Sequence, residues 1–194
     1  RIAMDNNIPI FNAGCYQNEK EIVNAFNKFY QKILVDKSKG IKKEINNVLK
    51  DNGNIPSFRG ELSFLSNMFL CNITLHIDGT NYTFPSAENA YQGLKNYYNN
   101  LNIYRFTQYS PSDAKKFATK QISPQWEKDK LKVMKMVITE KFKQNSKLAE
   151  KLMQCNFEIQ ERNTWNDRFW GICNGTGENH LGKLLMEIRD ELQL

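Results

Sequence analysis

Three polar side chains, Glu88, Gln92 and Lys95, lie four and three residues apart within PSAENAYQGLK, which spans residues 85–95. In a helix, which turns about 100° per residue, they form one stripe. A carboxylate and an amine at the edge of a buried face have perturbed pKa values, which suit acid–base or nucleophilic chemistry. A solvated helix flank would show the same spacing. The apolar stripe directly beside them comprises Ala87, Tyr91, Leu94 and Tyr98.

Two further segments place polar residues in apolar surroundings. In FRGELSFLSN, residues 58–67, Ser66 and Asn67 follow three large apolar residues, so they are expected in or near the core. Their polar groups then need partners, supplied either by a capped turn or by a ligand. Residues 161–182 contain four glycines ahead of the predicted C-terminal helix. Glycines allow close backbone approach, and free N–H groups at a helix start bind anions.

Tryptophans add flat surfaces on which a base could stack, although most tryptophans in proteins are core residues. The three in this chain are Trp126, Trp165 and Trp170.

The elements expected to position these groups follow from periodicity. Alternating apolar residues on both sides of Asp78-Gly79 predict a β-hairpin over residues 73–84. The Glu88 helix follows directly, with Pro85 suited to its first turn and the Ser86 hydroxyl suited to capping it. Further helices are predicted over residues 110–118, from Trp126 to Phe142, over 147–153 and over 181–192.

The long helix from Trp126 has an apolar line and many lysines. We expect Leu131, Met134, Ile138 and Phe142 to face the core. The lysines are expected mostly to face water, where they could form a nucleic-acid-binding surface within residues 126–151. They are Lys128, Lys130, Lys132, Lys135, Lys141 and Lys143.

The pattern as a whole predicts an α+β fold. We expect a helix-dominated single domain with a small antiparallel sheet over residues 56–194, preceded by an N-terminal helical extension over residues 1–55. The net charge of +6 suits anionic ligands, either phosphates or nucleic acid. No apolar run is long enough to span a bilayer, and no secretory pattern opens the chain, so we expect no membrane partner.

The four cysteines are scattered, without metal-binding spacing. This usage predicts a reducing cytoplasmic setting and chemistry without a metal or cofactor. The cysteines are Cys15, Cys71, Cys155 and Cys173.

Several motifs in order resemble the YbiA-like, or NADAR, family of N-glycosidases and ADP-ribosyl glycohydrolases. The resemblance covers residues 56–194. Its motifs are FRGELSFLSNMF, FPSAENAYQGLK, SPSDAKKFA, the region around Trp126 and the VM pair of the long helix, KF-Q-N from Lys141, and WG followed by GTGENHLGKLLMEIR.

The resemblance implies hydrolysis of the bond between ribose C1 and a base-like amine. Its foremost implied substrate is ADP-ribose on guanine in nucleic acid or a nucleotide, and the alternative is an early riboflavin-biosynthesis intermediate. A non-catalytic ADP-ribose-binding module is a further alternative. The ligand would therefore be ADP-ribose or a ribose phosphate, with ADP-ribosylated nucleic acid as a partner.

Carried over onto this sequence, the resemblance assigns catalysis to Glu88, Lys95 and Asp167. Glu88 would either stabilise positive charge on the sugar or move protons. Lys95 could instead attack C1 and form a transient Schiff base, and both routes stay open. The expected substrate-binding residues are Arg59, Gly60, Phe64, Ser66, Asn67, Gln92, Trp126, Trp170, Gly171, Gly177, Asn179 and Gly182.

Overall fold

The computed structural model describes residues 58–193 and, ahead of them, Lys28, Gln31 and Val35, which are exposed and helical. The expected N-terminal extension otherwise lies outside the described residues, so its boundary at residues 55 and 56 stays a prediction. The chain divides into two units, 1–47 and 48–194. Among the described residues, no helix is both long and apolar enough to cross a membrane.

An antiparallel hairpin forms the principal sheet. Strand β1 spans Leu70–Ile77 and strand β2 spans Thr80–Ser86, which confirms the predicted hairpin. Asp78 and Gly79 connect the strands with φ angles of 47° and 77°. Asp and Gly are favoured at such positions because a tight hairpin turn needs positive φ.

Helix α1 spans Ala87–Tyr97 and follows β2 without a loop. The Ser86 Oγ accepts a hydrogen bond from the Asn89 backbone N–H at 3.1 Å, so the predicted serine cap is confirmed. The expectation that Pro85 lies in the first helical turn is wrong, because β2 continues through Ser86. The Asn89 side chain then donates to the carbonyls of Phe106 and Tyr109, which fixes the start of α1.

The remaining elements are mostly helical, which confirms the predicted helix-dominated α+β class. Two strands of two residues each, β3 at Arg162–Asn163 and β4 at Ile172–Cys173, also pair in parallel, which the sequence did not predict. Short 3-10 helices lie at Gly60–Leu65 and Tyr104–Thr107. The other elements are α2 at Pro111–Phe117, α3 at Pro124–Lys143, α4 at Ser146–Met153 and α5 at His180–Leu192.

Helix α3 packs against α1, β1, α4 and α5 and carries much of the core. Met134, Ile138 and Phe142 are buried as expected, whereas Leu131 is 36% exposed. Val133 and Val137 complete the buried face instead.

The α3 lysines mostly face water, as expected, although two of them form surface ion pairs, and the exception is Lys141. Lys141 is fully buried. Lys130 pairs with Glu127, and Lys135 pairs with both Glu187 and Glu191. The lysines of this helix that remain exposed are Lys128, Lys132 and Lys143.

Candidate active site

A pocket of about 250 Å³ is formed by the segments 58–68 and 161–170 together with α1, α2 and α3. Its wall combines carboxyl, amide, cationic and aromatic side chains, which is typical of a small-molecule site. The lining residues are Phe58, Arg59, Ser66, Asn67, Met68, Glu88, Tyr91, Gln92, Lys115, Met134, Glu161, Arg162, Trp165, Asp167 and Trp170.

Glu88 is the most deeply buried acid of this pocket, with 7% of its surface exposed. Its backbone N–H, in the first turn of α1, donates to the Asn67 carbonyl at 2.8 Å. The Gln92 side chain donates to Glu88 Oε1 at 3.0 Å. Burial raises the pKa of Glu88, while the Gln92 hydrogen bond and the positive charge of Lys115 oppose that rise. The site therefore holds a carboxyl group whose pKa lies above that of a free glutamate.

Glu161 is a second carboxyl of the same wall. Burial, then the negative charges of Asp167 and Glu88, raise its pKa to about 7, against the opposing charge of Lys115. Its Oε2 is shielded from solvent and has no hydrogen-bond partner within the described part of the chain. An unpartnered carboxyl oxygen disfavours the ionised form, so this group is suited to carry a proton near neutral pH.

Asp167 is a third carboxyl, held by a local turn. Its Oδ1 accepts a hydrogen bond from the Trp170 backbone N–H at 2.9 Å. Its own backbone N–H donates to Asn163 Oδ1, and Asn163 Nδ2 donates to the Asp167 carbonyl. Both the carboxyl group and the following Trp170 are thereby oriented by the same turn.

The exposed part of the pocket wall is cationic and aromatic. Arg59, Lys115 and Arg162 are exposed, and Trp165 is 57% exposed. The Lys115 Nζ lies 5.9 Å from the centroid of the Trp165 ring. Acids at the buried side and cations at the exposed side suit a ligand with an electron-poor centre and an anionic end.

Two amide oxygens in the wall are buried and, among the described residues, have no donor. They are Asn67 Oδ1 and Gln92 Oε1. The Asn67 Nδ2 lies 3.4 Å from Met134 Sδ, a weak acceptor. Unpaired buried amides are costly in a structural core and are common at functional sites.

Lys141 lies behind this wall. Its Nζ donates to the carbonyls of Phe64 and Ser66 at 2.6 and 2.8 Å. Burial lowers the pKa of Lys141 to about 8. The ammonium thus fixes the backbone that precedes Asn67, whose carbonyl in turn receives the Glu88 N–H.

Seven of the predicted site residues line the pocket together: Arg59, Ser66, Asn67, Glu88, Gln92, Asp167 and Trp170. They come from three separate segments of the chain. The functional roles expected for them stay predictions, and their convergence on one pocket is what the structure adds.

Lys95 does not line this pocket, although it lies on the same helix. It is half-buried, and burial lowers the pKa of its amine while Glu88 raises it. Because the amine is absent from the pocket wall, the structure offers less support for attack on a ligand by Lys95 than for chemistry at Glu88.

Phe64 and Trp126 are core residues rather than wall residues, each with 2% of its surface exposed. The Trp126 ring packs against Tyr91 and Tyr98, with centroid distances of 4.9 and 5.5 Å. Because Tyr91 lines the pocket, Trp126 supports the wall from behind. Its expected direct contact with substrate stays a prediction.

The glycines of the C-terminal segment and Asn179 also lie outside the pocket wall, and packing explains them. A Cβ on Gly171 would lie 2.2 Å from the Glu161 carbonyl oxygen, so the two backbones can approach only with glycine there. The Asn179 Oδ1 accepts from the Glu161 backbone N–H at 3.0 Å. Gly171 and Asn179 thus position Glu161, and their expected contact with substrate stays a prediction.

The other three glycines predicted for the site are likewise absent from its wall. A Cβ on Gly177 or Gly182 would lie 2.1 Å from a backbone oxygen, of Gly171 and Ile159 respectively. Gly60 has open space around it and a φ of +54°, and it adjoins the wall residue Arg59.

Sequence reasoning missed Glu161 and Lys115 as site residues. Both belong to segments that the reasoning singled out, but neither has a helical or strand spacing that links it to Glu88. The one signal that the sequence offers for either residue is that it is charged, as other pocket residues are. That signal is weak, because most charged residues lie on the surface. Among the described residues, no three His, Cys, Asp or Glu side chains are arranged to hold a metal ion.

Comparison with known proteins gives a consistent picture. A model of the NADAR domain matches residues 57–193. A protein named riboflavin biosynthesis protein VVA0006, from Vibrio vulnificus strain YJ016, is 32% identical over 67% of this chain and 35% of its own length. N-glycosidase Npun_R5314 from Nostoc punctiforme is 34% identical over 39% of this chain and 49% of its own length.

N-glycosidase YbiA from Shigella flexneri serotype 5b is 31% identical over 62% of this chain and 76% of its own length. Among solved structures, the NMR structure of Escherichia coli YbiA matches with a TM-score of 0.58 and 29% identity. That match covers 72% of this chain and 83% of the solved one.

Proposed function

Because this chain belongs to the NADAR domain family, we propose that it is an N-glycosidase that hydrolyses the bond between ribose C1 and a base or amine. The observation that carries the proposal is the buried Glu88 carboxyl in a pocket whose exposed side carries cations and an aromatic ring. Relatives named N-glycosidase add support.

Glu88 has the chemistry that such a reaction needs. Breaking a ribose–nitrogen bond develops positive charge on C1 and on the ring oxygen, and a fixed carboxylate stabilises it. Gln92 favours the ionised form of Glu88 through its hydrogen bond. The positive charge that develops on the sugar favours the ionised form of Glu88 further, because opposite charges attract strongly at a buried site.

A Schiff base on Lys95 is the weaker route in our proposal. The amine would have to reach C1, yet Lys95 does not line the pocket that contains Glu88. We assign Lys95 a smaller role, in which its charge opposes the rise in the pKa of Glu88.

The other wall residues bind and orient the substrate in this proposal. Asn67 and Gln92 present amides to sugar hydroxyls, and Trp170 forms an apolar side of the site. Asp167 adds negative charge near the developing cation.

We propose that the preferred substrate is ADP-ribose attached to guanine, in nucleic acid or in a nucleotide. The exposed side of the pocket supports this choice, because Arg59, Lys115 and Arg162 can contact phosphates and Trp165 can stack on a base. A ribose phosphate alone would leave part of this surface unused.

An early riboflavin-biosynthesis intermediate is the second candidate substrate. The observation that favours it is the name of the Vibrio vulnificus relative, a riboflavin biosynthesis protein. This chain spans 35% of that relative's length. A non-catalytic ADP-ribose reader would use the same pocket and would release no base.

We further propose a reducing, cytoplasmic setting and a reaction without a metal. The described cysteines, Cys71, Cys155 and Cys173, are free thiols, which supports the first point. The EDTA comparison below tests the second.

The experiment is mass spectrometry of the products formed from two substrates, ADP-ribosylated DNA and an aminopyrimidine ribose phosphate. Incubations with and without EDTA run in parallel. We expect released guanine-containing DNA and free ADP-ribose from the first substrate, unaffected by EDTA. Glu88→Gln keeps the size of the side chain and should lower turnover by about 10³-fold or more while ADP-ribose still binds.

Each outcome has a distinct meaning. Turnover of the aminopyrimidine substrate alone would favour the riboflavin candidate. ADP-ribose binding without any released base, even at high protein concentration, would favour the reader and contradict the enzyme proposal.

A further inference from the structure

Glu161 is a buried acid of the pocket that the mechanism above does not use. It begins the segment that carries Asp167 and Trp170, and its backbone is fixed on both sides. The Asn179 side chain accepts from its N–H at 3.0 Å, and the Ile172 N–H donates to its carbonyl at 2.8 Å. The structure thus provides a rigid support for this carboxyl group.

The charged groups of the pocket around Glu161 come from α1, α2 and the two segments 58–68 and 161–170, whereas α3 contributes only Met134 to the wall. Glu88 lies on α1 and Lys115 on α2, while Arg162 and Asp167 share its own segment and Arg59 precedes the first 3-10 turn. Asp167 and Glu88 add negative charge, and Lys115 opposes them. Burial and the neighbouring carboxyl groups therefore favour a proton on Glu161 near neutral pH.

Hydrogen bonding distinguishes the two most buried acids. Gln92 donates to Glu88 Oε1, which stabilises a negative charge on Glu88. In the described part of the chain, Glu161 Oε2 has neither a donor nor contact with solvent. Hydrogen bonding therefore favours the carboxylate at Glu88 and the proton at Glu161.

We propose that Glu161 is the general acid that protonates the departing nitrogen, an inference that rests on the proposed N-glycosidase function. As the C1–N bond breaks, its electron pair stays on nitrogen, which takes the Glu161 proton. Water then bonds to C1 through its oxygen and returns a proton to the Glu161 carboxylate. The sugar ends with a hydroxyl on C1, the base leaves protonated on nitrogen, and Glu161 regains its starting state.

The first test compares leaving groups in Glu161→Gln. A guanine amine needs a proton to leave, whereas the pyridinium of nicotinamide mononucleotide leaves as a neutral base without one. We expect Glu161→Gln to lower kcat/KM by about 10²–10⁴-fold on ADP-ribosylated guanosine and by less than about tenfold on nicotinamide mononucleotide. Equal losses on both substrates would overturn the proposal.

The second test is the pH profile, which decides the matter if the wild-type protein does not cleave nicotinamide mononucleotide. Wild-type kcat/KM should fall as the pH rises through about 7, the value to which burial raises the pKa of Glu161. Glu161→Gln should lack this alkaline fall. A fall that survives the substitution would assign the proton to another group and refute the proposal.

Glu158→Gln is the matched control, because Glu158 is exposed, precedes Glu161 by three residues and does not line the pocket. It should leave both rates and the pH profile unchanged.

A measurement without turnover separates this inference from the proposed function. A folded pKa above the unfolded value of 4.5 means that the folded protein holds an extra proton between pH 4.5 and about 7. The urea midpoint of the wild type, relative to Glu161→Gln, should therefore fall as the pH rises through that window. If the wild type releases no base from any substrate, the proposed function fails. If it does, and Glu88→Gln is inactive while Glu161→Gln is not, only the inference fails.

Discussion

Glu88, Glu161 and Asp167 place three carboxyl groups in one pocket, with Lys115 as a cation among them. Asp167 raises the pKa of Glu88 and of Glu161, and Glu88 raises that of Glu161, so their protonation is linked. Removing one carboxyl group therefore removes its own contribution to the reaction and also changes the pKa of the groups that it influenced. Substitutions of these acids must be interpreted through complete pH profiles.

Lys115 is predicted to bind the anionic part of the ligand. It is exposed, it lines the pocket, and its Nζ lies 5.9 Å from the centroid of the Trp165 ring. Lys115→Met should weaken ADP-ribose binding by about tenfold at low salt, which corresponds to about 1.4 kcal/mol. Titration calorimetry at two salt concentrations measures this, and the difference from wild type should shrink at high salt.

Lys116→Met is the control for this prediction. Lys116 adjoins Lys115 on α2 and is also exposed, but it does not line the pocket. An equal loss of affinity in both variants would indicate a general effect of net charge and would contradict a specific contact by Lys115.

Helix α3 affects the pocket through one buried lysine. The Lys141 Nζ joins α3 to the Phe64 and Ser66 carbonyls, and the chain then continues into Asn67 and its hydrogen bond from Glu88. Lys141 is a positioning residue in this arrangement, because it acts on the site through the backbone of another segment.

Lys141→Met should destabilise the folded protein by about 2–4 kcal/mol, since two buried carbonyls lose their donor. The pH dependence tests the cause. The folded pKa of about 8 lies below the unfolded value of 10.5, so between these values only the unfolded chain holds the proton. The unfolding free energy of the wild type should therefore rise with pH across this window, by about 3 kcal/mol.

Urea denaturation of the wild type and Lys141→Met at several pH values measures the difference. Cys155 and Tyr91, whose pKa values burial raises, affect both proteins equally and cancel. Lys143→Met provides the control, because Lys143 is exposed near the end of the same helix. A wild-type curve parallel to that of Lys141→Met would refute the lowered pKa of Lys141.

The segment around β3 and β4 positions Glu161 in a similar way. Because Gly171 has no side chain, the Glu161 carbonyl can lie closer to its backbone than a Cβ would allow. The Asn179 side chain accepts a hydrogen bond from the Glu161 N–H. The glycines of this segment thus serve the site by bringing two stretches of backbone together.

The domain that contains the pocket should function without the residues before it. The structure describes a core that runs from Leu62 to Ile188, and every residue of the pocket wall lies between Phe58 and Trp170. A protein of residues 56–194 should therefore unfold in a single cooperative transition. Its kcat/KM should stay within about threefold of the value for the whole chain, which corresponds to about 0.7 kcal/mol. Circular dichroism and the glycosidase assay measure both properties.

The whole chain of residues 1–194 is the comparison for this fragment. Loss of the cooperative transition would show that the preceding residues contribute to folding. Intact folding with a large loss of turnover would show that they contribute to the site.

Local spacing was sufficient to predict the hairpin, the Ser86 cap and the helix that carries Glu88 and Gln92. These features depend on neighbours a few residues apart, and alternating or helical periodicity records such neighbours directly. Apolar surroundings singled out the 58–67 segment and the resemblance to a family added Asp167, but no local spacing connects either of them to Glu88.

Tertiary structure decided which side chains share the pocket and which support it. Lys141 has helical spacing with Met134 and Ile138, so its position alone indicated the core while its charge indicated solvent. The carbonyls of Phe64 and Ser66, distant in sequence, resolve that conflict because they satisfy the buried amine. Glu161 and Lys115 likewise meet Glu88 only after the chain folds, since burial and charge, which set their chemistry, are properties of the assembled pocket.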